Sequence, residues 1–269
     1  MLKVRSYGKS GPQVIVLHGG PGACGSMAQV ARGIADLFRV LEPWQRGTAM
    51  TVAEHVADLH EVVESCNETV APALVGHSWG AMLALAYAGA HPEAVGPIVL
   101  VCSGTFDLPS RERMGAIMDE RMDDGMRLRL ERINQLPDPN ERFRALGDFT
   151  MELYSYDLAT TDQEIDHSEP GANIETWKDM VRLQEESVYP AAFATIKSPV
   201  LMLHGAADPH PGEMIRASLA PHIPHLEYRQ WDRCGHYPWL EKATREEFFL
   251  VLRKWLADRF GERARDPSP

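Results

Sequence analysis

The chain has 269 residues, 44% of them hydrophobic and 24% charged, which is typical of a folded globular protein and excludes a largely disordered one. Its length suits one α/β domain with an insertion. Its formal net charge of −11 comes without a clustered basic surface, so we expect no nucleic-acid partner.

Signals for membranes, secretion and disulfides are missing from the sequence. There is no run of about 18 uninterrupted apolar residues, and the first residues lack the apolar core of a signal peptide. We therefore predict a cytoplasmic protein without a membrane partner. The four cysteines are widely spaced and form no CxxC pair, which predicts reduced thiols.

Six short apolar runs alternate with helical patterns along most of the chain. Such runs are typical of strands buried on both faces of a parallel sheet. The helical patterns between them include Val52–Ser65. Together they predict an α/β fold with a mostly parallel, doubly wound sheet. The predicted strands are Val14–Gly19, Phe38–Glu42, Ala73–Ser78, Pro97–Cys102, Pro199–Gly205 and Leu226–Trp231.

The first predicted strand runs into a glycine-rich loop with the sequence HGGPG, residues 18–22. Acyl transfer needs backbone N–H donors for the developing oxyanion, and a loop after an early strand can supply one of them. We assign that role to the N–H of Gly20, because glycine has no side chain to hinder a substrate. We expect His18 to organise the loop.

The same segment offers a rival interpretation. Residues Gly20–Gly25 match G-x-G-x-x-G, the fingerprint of dinucleotide-binding folds, and Glu42 stands about where a ribose-binding acid belongs. Pro21, however, lacks a backbone N–H that a pyrophosphate would use. This disfavours a dinucleotide site, and we expect no cofactor.

The strongest motif is GHSWG, residues 76–80, which lies between a predicted strand and a predicted helix. In this setting G-x-S-x-G is typical of a nucleophile elbow, in which a sharp turn exposes the serine. The turn leaves no room for side chains at the flanking glycines. We therefore predict Ser78 as the nucleophile and the N–H of Trp79 as the second oxyanion donor.

The alternation of strands and helices stops between residues 105 and 196, where the sequence is helical and polar. We predict that this stretch is a helical cap, inserted into a core domain formed by residues 1–104 and 197–269. It carries 20 of the 38 acidic residues but only 10 of the 27 basic ones. Solubility or attraction of a cationic substrate would each explain this excess of negative charge.

Methionines recur at every fourth position early in the predicted cap. This spacing predicts an apolar stripe on one helix, which either packs against the core domain or forms an adaptable roof over the substrate. The stripe consists of Met114, Met118, Met122 and Met126.

The other catalytic groups are expected late in the chain, the acid first and the histidine second, each after a strand. Asp208 and His236 follow the last two predicted strands in that order. His236 would take the Ser78 proton and return it to the leaving group, while Asp208 would fix the imidazole tautomer. Asp232 is a rival acid that we rank behind Asp208, because it ends the histidine's own strand. No ligand pattern predicts a metal site.

Four segments match a known family: HGGPG (18–22), GHSWGAMLALAYAGAHPE (76–93), GAAD (205–208) and GHYPWLE (235–241). With them, the chain resembles the α/β-hydrolase superfamily, and especially its proline iminopeptidase-like branch of serine peptidases. The resemblance implies a triad of Ser78, Asp208 and His236, with oxyanion donors at Gly20 and Trp79. It also implies a short-peptide or other small-molecule substrate.

Members of that branch remove an N-terminal residue, often proline, and hold its free amine with acidic cap residues. The acidic candidates here are Asp162, Glu164, Asp166 and Glu169. The branch's DQRG motif is WQRG in this chain, at residues 44–47. Carboxylesterases, C–C bond hydrolases and perhydrolases of the same superfamily share the triad, and some proteins of this fold are ligand receptors. We place the aminopeptidase interpretation first and the carboxylesterase second.

Overall fold

A single seven-stranded sheet organises the computed structural model, which describes residues 2–66, 69–165 and 170–265. Its strands are Val4–Tyr7 (β1), Gln13–Leu17 (β2), Arg39–Pro43 (β3), Ala73–His77 (β4), Ile98–Val101 (β5), Val200–Gly205 (β6) and Leu226–Trp231 (β7). They lie in the order β1-β3-β2-β4-β5-β6-β7. Every neighbouring pair is parallel except β1 with β3. The predicted α/β fold with a mostly parallel sheet is confirmed.

Helices connect most of the strands. None of the helices in the described part of the chain combines the length and the apolarity needed to cross a bilayer. The helices are Ala28–Ile34 (α1), Val52–Ser65 (α2), Trp79–Ala90 (α3), Leu108–Arg121 (α4), Asp124–Asn134 (α5), Pro139–Tyr154 (α6), Pro170–Glu185 (α7), Gly212–Leu219 (α8) and Arg245–Arg265 (α9).

The core consists of two apolar layers, one on each face of the sheet. Successive side chains of a strand point to opposite faces, so Leu74 of β4 packs with residues of α2, α3 and α8. Its neighbour Val75 packs in the other layer with residues of α1 and α9. All five residues of β4 are buried. The carboxyl end of this central strand is therefore densely packed on both faces, and Ser78 follows it directly.

Strand β1 was missed by the sequence analysis. It pairs antiparallel with β3 at the edge of the sheet, and its residues alternate between exposed and half-buried. An edge strand with little burial needs no apolar run, so its sequence VRSY carries none of the signal that marks the buried parallel strands.

Residues 105–196, which we call the helical insertion, contain α4 to α7 and lie between β5 and β6. The predicted single methionine helix is wrong, because α4 ends at Arg121 and α5 begins at Asp124. Three methionines of the stripe pack on a small apolar cluster inside the insertion rather than on the sheet. That cluster is built on Ile133, Phe149 and Leu153 and is contacted by Met118, Met122 and Met126.

Candidate active site

Ser78 occupies a strained turn between β4 and α3. Its φ of 55° and ψ of −119° are unusual for a residue with a side chain and mark a conformation that the surroundings must enforce. A Cβ atom on Gly76 would lie 2.2 Å from the carbonyl oxygen of Gly80, and one on Gly80 would lie 2.2 Å from that of Leu17. Both flanking positions thus require glycine, as expected for an elbow that projects its central serine.

The glycine-rich loop after β2 lies directly against this elbow. A Cβ atom on Gly19 would lie 3.2 Å from the Cβ of Ser78. Gly20 has a φ of +116°, which a residue with a side chain rarely adopts. Gly20, Ser78 and Trp79 border one cavity. The two backbone N–H groups predicted as oxyanion donors therefore belong to residues that line the same cavity as the candidate nucleophile.

Gln45, which the sequence analysis did not single out, ties these two segments together. Its side-chain oxygen accepts a hydrogen bond from Trp79 Nε1 at 2.8 Å, and its side-chain nitrogen donates to the His18 carbonyl at 3.1 Å. Its backbone N–H donates to His18 Nε2 at 3.1 Å. Burial lowers the pKa of His18 to about 4, so the ring stays neutral and can accept this bond. His18 Nδ1 donates to the Gly19 carbonyl at 2.9 Å, which fixes the loop.

Asp208 and His236 form a buried pair at the carboxyl ends of β6 and β7. His236 Nδ1 donates to Asp208 Oδ2 at 2.7 Å, and each residue is 3% exposed. Burial by itself would raise the pKa of Asp208, but the imidazoles of His236 and His210 hold it well below its usual range. Burial lowers the pKa of His236, although Asp208 opposes this shift. The pair therefore combines an ionised carboxylate with a neutral imidazole, the state a general base needs.

The rival acid, Asp232, lies on the surface just after β7. Within the described residues the carboxylate in contact with His236 is that of Asp208. The ranking of Asp208 above Asp232 therefore agrees with the geometry.

A second imidazole, that of His210, shares the Asp208 carboxylate. His210 Nδ1 donates to Asp208 Oδ1 at 2.8 Å, and its backbone N–H donates to the same oxygen at 2.9 Å. The rings of His210 and His236 stack with centroids 4.7 Å apart and an angle of 19° between their planes. The sequence analysis gave His210 no role. One signal was available in the sequence, because His210 follows the predicted acid by two residues. An aspartate side chain often accepts a hydrogen bond from the backbone N–H at that position.

The side chains around Asp208 include residue types that can bind a metal ion, because Cys102 and His204 also approach its carboxylate. The two imidazole Nδ1 atoms that contact the carboxylate carry protons and donate hydrogen bonds to it, so they are not free as ligand atoms. Burial raises the pKa of Cys102 well above its usual value, which keeps its thiol protonated. Hydrogen bonding accounts for this cluster, and we assign no metal ligands in it.

The loop that carries His236 is held from several sides. The His236 backbone N–H donates to the Tyr154 carbonyl at 2.9 Å, and His77 Nε2 donates to the His236 carbonyl at 2.9 Å. Glu241 accepts from the backbone N–H of Gly235 at 2.9 Å and from that of Tyr156 at 2.7 Å. The end of α6 in the helical insertion is thereby fixed to the histidine loop.

Ser78 and His236 line one cavity with a volume of 630 Å³. Its size fits a small-molecule or short-peptide ligand. The Ser78 side chain has no hydrogen-bond partner among the described residues, and such contacts often tighten only when a substrate binds. The loop after β2 and the elbow line the cavity on one side, and the helical insertion lines it on the other.

The insertion contributes a largely apolar wall with a single acid and a single base. The acid is Asp148 and the base is Arg144, both on exposed positions of α6, among the lining residues that the structure describes. The apolar side chains from the insertion are Met114, Phe143, Leu146, Met151, Ile165 and Trp177. Met114 thus belongs to the predicted roof, while the rest of the methionine stripe does not.

Two of the four acidic residues proposed from the sequence to hold a substrate amine lie in the described part of the chain, and both have other positions. Glu164 pairs with Arg32 at 2.6 Å and with Arg5 at 3.1 Å. Asp162 is exposed and is not among the described residues that line the cavity. Asp166 and Glu169 lie outside the described residues. Among the described residues, Asp148 is the acid that lines the cavity, and nothing in the sequence distinguished it from its neighbours.

Glu42, the acid that a dinucleotide site would use to bind the ribose, has other partners. Glu42 is fully buried, accepts a hydrogen bond from the Tyr7 hydroxyl at 2.8 Å and pairs with Arg5 at 3.0 Å. A ribose-binding carboxylate has to be open to its ligand. Glu42 instead links β3 to β1, the strand at the edge of the sheet, through its contacts with Tyr7 and Arg5.

The chain matches one known protein family over most of its length. The family model for the alpha/beta hydrolase family matches residues 14–248. A proline iminopeptidase of Lactobacillus helveticus is 24% identical over 91% of this chain and 90% of its own length. Other curated relatives match over a shorter stretch, 35% of the relative's length in one case and 32% in another.

Solved structures show the same fold at low sequence identity. The chain is similar to the crystal structure of VinJ, with a TM-score of 0.67 and 17% identity over 95% of this chain and 94% of the other. It is also similar to a thermophilic esterase from Thermogutta terrifontis, with a TM-score of 0.64 and 20% identity over 96% and 93% of the two chains. At such identities the likeness concerns the fold.

Proposed function

Because this chain belongs to the alpha/beta hydrolase family, we propose that it is a serine hydrolase that forms an acyl-enzyme on Ser78. One observation carries the proposal: a serine in a strained elbow shares a cavity with a neutral imidazole that is hydrogen-bonded to a buried carboxylate. This is the arrangement that activates a serine hydroxyl at neutral pH.

The reaction follows from the roles of these groups. Ser78 Oγ attacks the substrate carbonyl carbon while His236 takes the hydroxyl proton, and the Asp208 carboxylate stabilises the imidazolium. Backbone N–H groups of Gly20 and Trp79 donate to the oxyanion. His236 then gives its proton to the leaving nitrogen or oxygen as the bond to the carbonyl carbon breaks. Water attacks the acyl-enzyme in the same way and restores the serine.

For the substrate, we propose a small molecule whose acyl part lies under the helical insertion, which acts as a cap domain over residues 1–104 and 197–269. The apolar wall suits an apolar acyl group. Asp148 is placed to attract a positively charged amine, and the relative from Lactobacillus helveticus is a proline iminopeptidase. These points favour removal of an N-terminal residue from a short peptide.

A carboxylesterase is the second candidate. Apart from Asp148 and Arg144, the described wall of the insertion is uncharged, so it would accept an acyl chain that carries no amine. One similar structure is an esterase. Both activities use the same serine chemistry, so they differ only in what the insertion recognises.

The test compares initial rates on prolyl p-nitroanilide and p-nitrophenyl butyrate, using the wild-type protein and Ser78→Ala. Cleavage of the anilide that depends on Ser78 supports the aminopeptidase. Cleavage of the ester alone assigns a carboxylesterase. Tight binding of either compound with no turnover in the wild type would contradict the enzyme and favour a ligand receptor on this fold.

A further inference from the structure

The cavity that contains the candidate nucleophile has polar groups that the proposed reaction does not use. Three side chains that line it each have a buried polar atom without a hydrogen-bond partner among the described residues: Ser26 Oγ, His77 Nδ1 and Gln163 Nε2. Burial lowers the pKa of His77, and its Nε2 already donates to a backbone carbonyl, so its Nδ1 has no proton to offer. The groups that can donate to a ligand are therefore the Ser26 hydroxyl and the Gln163 amide.

Ser26 is held close to the loop that carries the proposed oxyanion donor. Its backbone N–H donates to the Ala23 carbonyl at 3.1 Å, and the Ala23 N–H donates to the Gly19 carbonyl at 3.1 Å. Ser26 is 6% exposed, so its side chain is removed from bulk water. A buried hydroxyl without a partner costs free energy, which a hydrogen bond to a ligand would recover.

Gln163 lies on a segment of the helical insertion that is fixed to the core domain on both sides of it. Before it in sequence, the Asp162 carbonyl accepts a hydrogen bond from Gln29 Nε2 at 2.7 Å. After it, the Glu164 carboxylate pairs with Arg32 at 2.6 Å. The backbone of Gln163 is therefore held between two anchors, and its side chain lines the cavity.

The same segment lies directly against the residue before Ser26. A Cβ atom on Gly25 would lie 2.1 Å from the carbonyl oxygen of Glu164. Because Ser26 follows Gly25 and Gln163 precedes Glu164, the two donors belong to neighbouring parts of the cavity wall. A serine hydroxyl rotates, and the last torsion of a glutamine is broad, so both donors can turn towards one bound group.

We propose that Ser26 and Gln163 form a subsite that donates hydrogen bonds to an uncharged carbonyl in the leaving part of the substrate. The subsite rests on the serine-hydrolase function given above, in which the acyl part faces the apolar wall and an amine faces Asp148. In a short peptide, the next acceptor beyond the scissile bond is the carbonyl of the second residue. Both donors are neutral, so they suit an amide carbonyl rather than an ion.

Two pairs of substrates test the subsite. Within each pair the acyl group is the same, and the leaving part carries either an amide carbonyl or an isobutyl group of the same shape. The first pair is prolyl-glycinamide and prolyl-isobutylamide, which suits an aminopeptidase. The second pair is the glycolamide ester of butyric acid and isobutyl butyrate, which suits a carboxylesterase.

The measured quantity is the carbonyl preference, defined as kcat/KM for the compound with the amide carbonyl divided by kcat/KM for its isobutyl partner. The intrinsic reactivities of the two compounds cancel when a variant is compared with the wild type. Gln163→Met keeps the length of the side chain and removes its amide, and Ser26→Ala removes only the hydroxyl. We expect the carbonyl preference to fall about fivefold in each variant, as for the loss of one neutral hydrogen bond.

Gln163→Glu tests the direction of the hydrogen bond. An ionised carboxylate accepts but cannot donate, so the carbonyl preference should fall further than in Gln163→Met. Gln135→Met is the matched control and should keep the wild-type preference. Gln135 follows α5 in the same insertion, is exposed, and is not among the described residues that line the cavity.

A wild-type carbonyl preference in either Gln163→Met or Ser26→Ala overturns the subsite, and so does an equal loss in Gln135→Met. A higher preference in Gln163→Glu also overturns it, because the bound group would then be a donor. Absence of Ser78-dependent cleavage of all four compounds contradicts the serine hydrolase and the subsite together, so the two failures are distinguishable.

If a variant does not fold, the wild type still decides the matter. Its carbonyl preference is then compared with the ratio of the alkaline hydrolysis rates of the same two compounds, which measures their intrinsic reactivity. A preference that exceeds this ratio by about tenfold or more supports the subsite. A preference equal to the ratio overturns it.

Discussion

The proposed chemistry and the proposed substrate recognition lie in two regions that are packed very differently. In α3, directly behind Ser78, ten of twelve residues are buried, whereas in α4 of the helical insertion only Ser110 is buried among fourteen. Dense packing keeps reacting groups in one geometry, while a loosely packed helix tolerates changes in the side chains that face a ligand. Substitutions at the carboxyl ends of the strands should therefore slow the turnover of every substrate. Substitutions in the insertion should change the turnover of some substrates more than that of others.

The largest effect is expected for Asp208→Asn. The amide would retain the shape of the acid but favour the wrong tautomer of His236, so kcat should fall by about 10⁴-fold, equally for anilide and ester. Steady-state kinetics on both substrates provide the measurement. Asp232→Asn is the matched control and should behave as wild type, because Asp232 is exposed on the surface. Loss of turnover in the control variant rather than in Asp208→Asn would reverse the assignment of the acid.

A smaller loss of turnover, also at the carboxyl ends of the strands, is expected for Gln45→Leu. Without its amide, the loop that carries Gly20 and the side chain of Trp79 lose their common partner, so the oxyanion donors are held less firmly. We expect kcat to fall by about 10- to 100-fold with little change in KM, since the oxyanion exists only in the transition state.

A double-mutant cycle with Trp79→Phe sharpens this prediction. Phenylalanine removes the Nε1 donor to Gln45 together with part of the ring, and the loss of ring volume cancels in the cycle. The two substitutions should therefore be less damaging together than the product of their separate effects. Full additivity of the two effects, or a change confined to KM, would mean that Gln45 does not act through Trp79.

The smallest effect is expected in the insertion, for Asp148→Asn. Because Asp148 is exposed, loss of its attraction for an amine should raise KM about fivefold for prolyl p-nitroanilide. KM for p-nitrophenyl butyrate, which has no amine, should be unchanged. Glu141→Gln is the control, since Glu141 lies on the first turn of the same helix and is not among the described residues that line the cavity. Equal changes for both substrates would remove Asp148 from amine recognition.

The two regions also differ in how far their sequences predicted them. The elbow could be recognised because much of its constraint is local: a Cβ atom on Gly76 would lie 2.2 Å from the carbonyl oxygen of Gly80, four residues later. The fully buried strands β2, β4, β5 and β6 could be recognised because burial on both faces demands apolar runs. Strand β1 could not, since an edge strand carries no such demand.

Residues whose roles depend on long-range contacts were not predictable in the same way. Gln45 and Trp79 meet across 34 positions of sequence. Asp148 is one acid among many in a segment where surface charge is weakly constrained, and only the packing of α6 shows that it faces the cavity. His210 had a local clue in its spacing from Asp208, but its stacking on His236 depends on the approach of β6 to β7.

The most direct test of the account is to identify the residue that a fluorophosphonate modifies, by peptide mass spectrometry on the wild type and on Ser78→Ala, with turnover measured in parallel. We predict a label on Ser78, no label in the variant, and a loss of turnover of at least about 10⁴-fold. A label on another residue, or turnover that survives in Ser78→Ala, would contradict the assignment of Ser78 as the nucleophile.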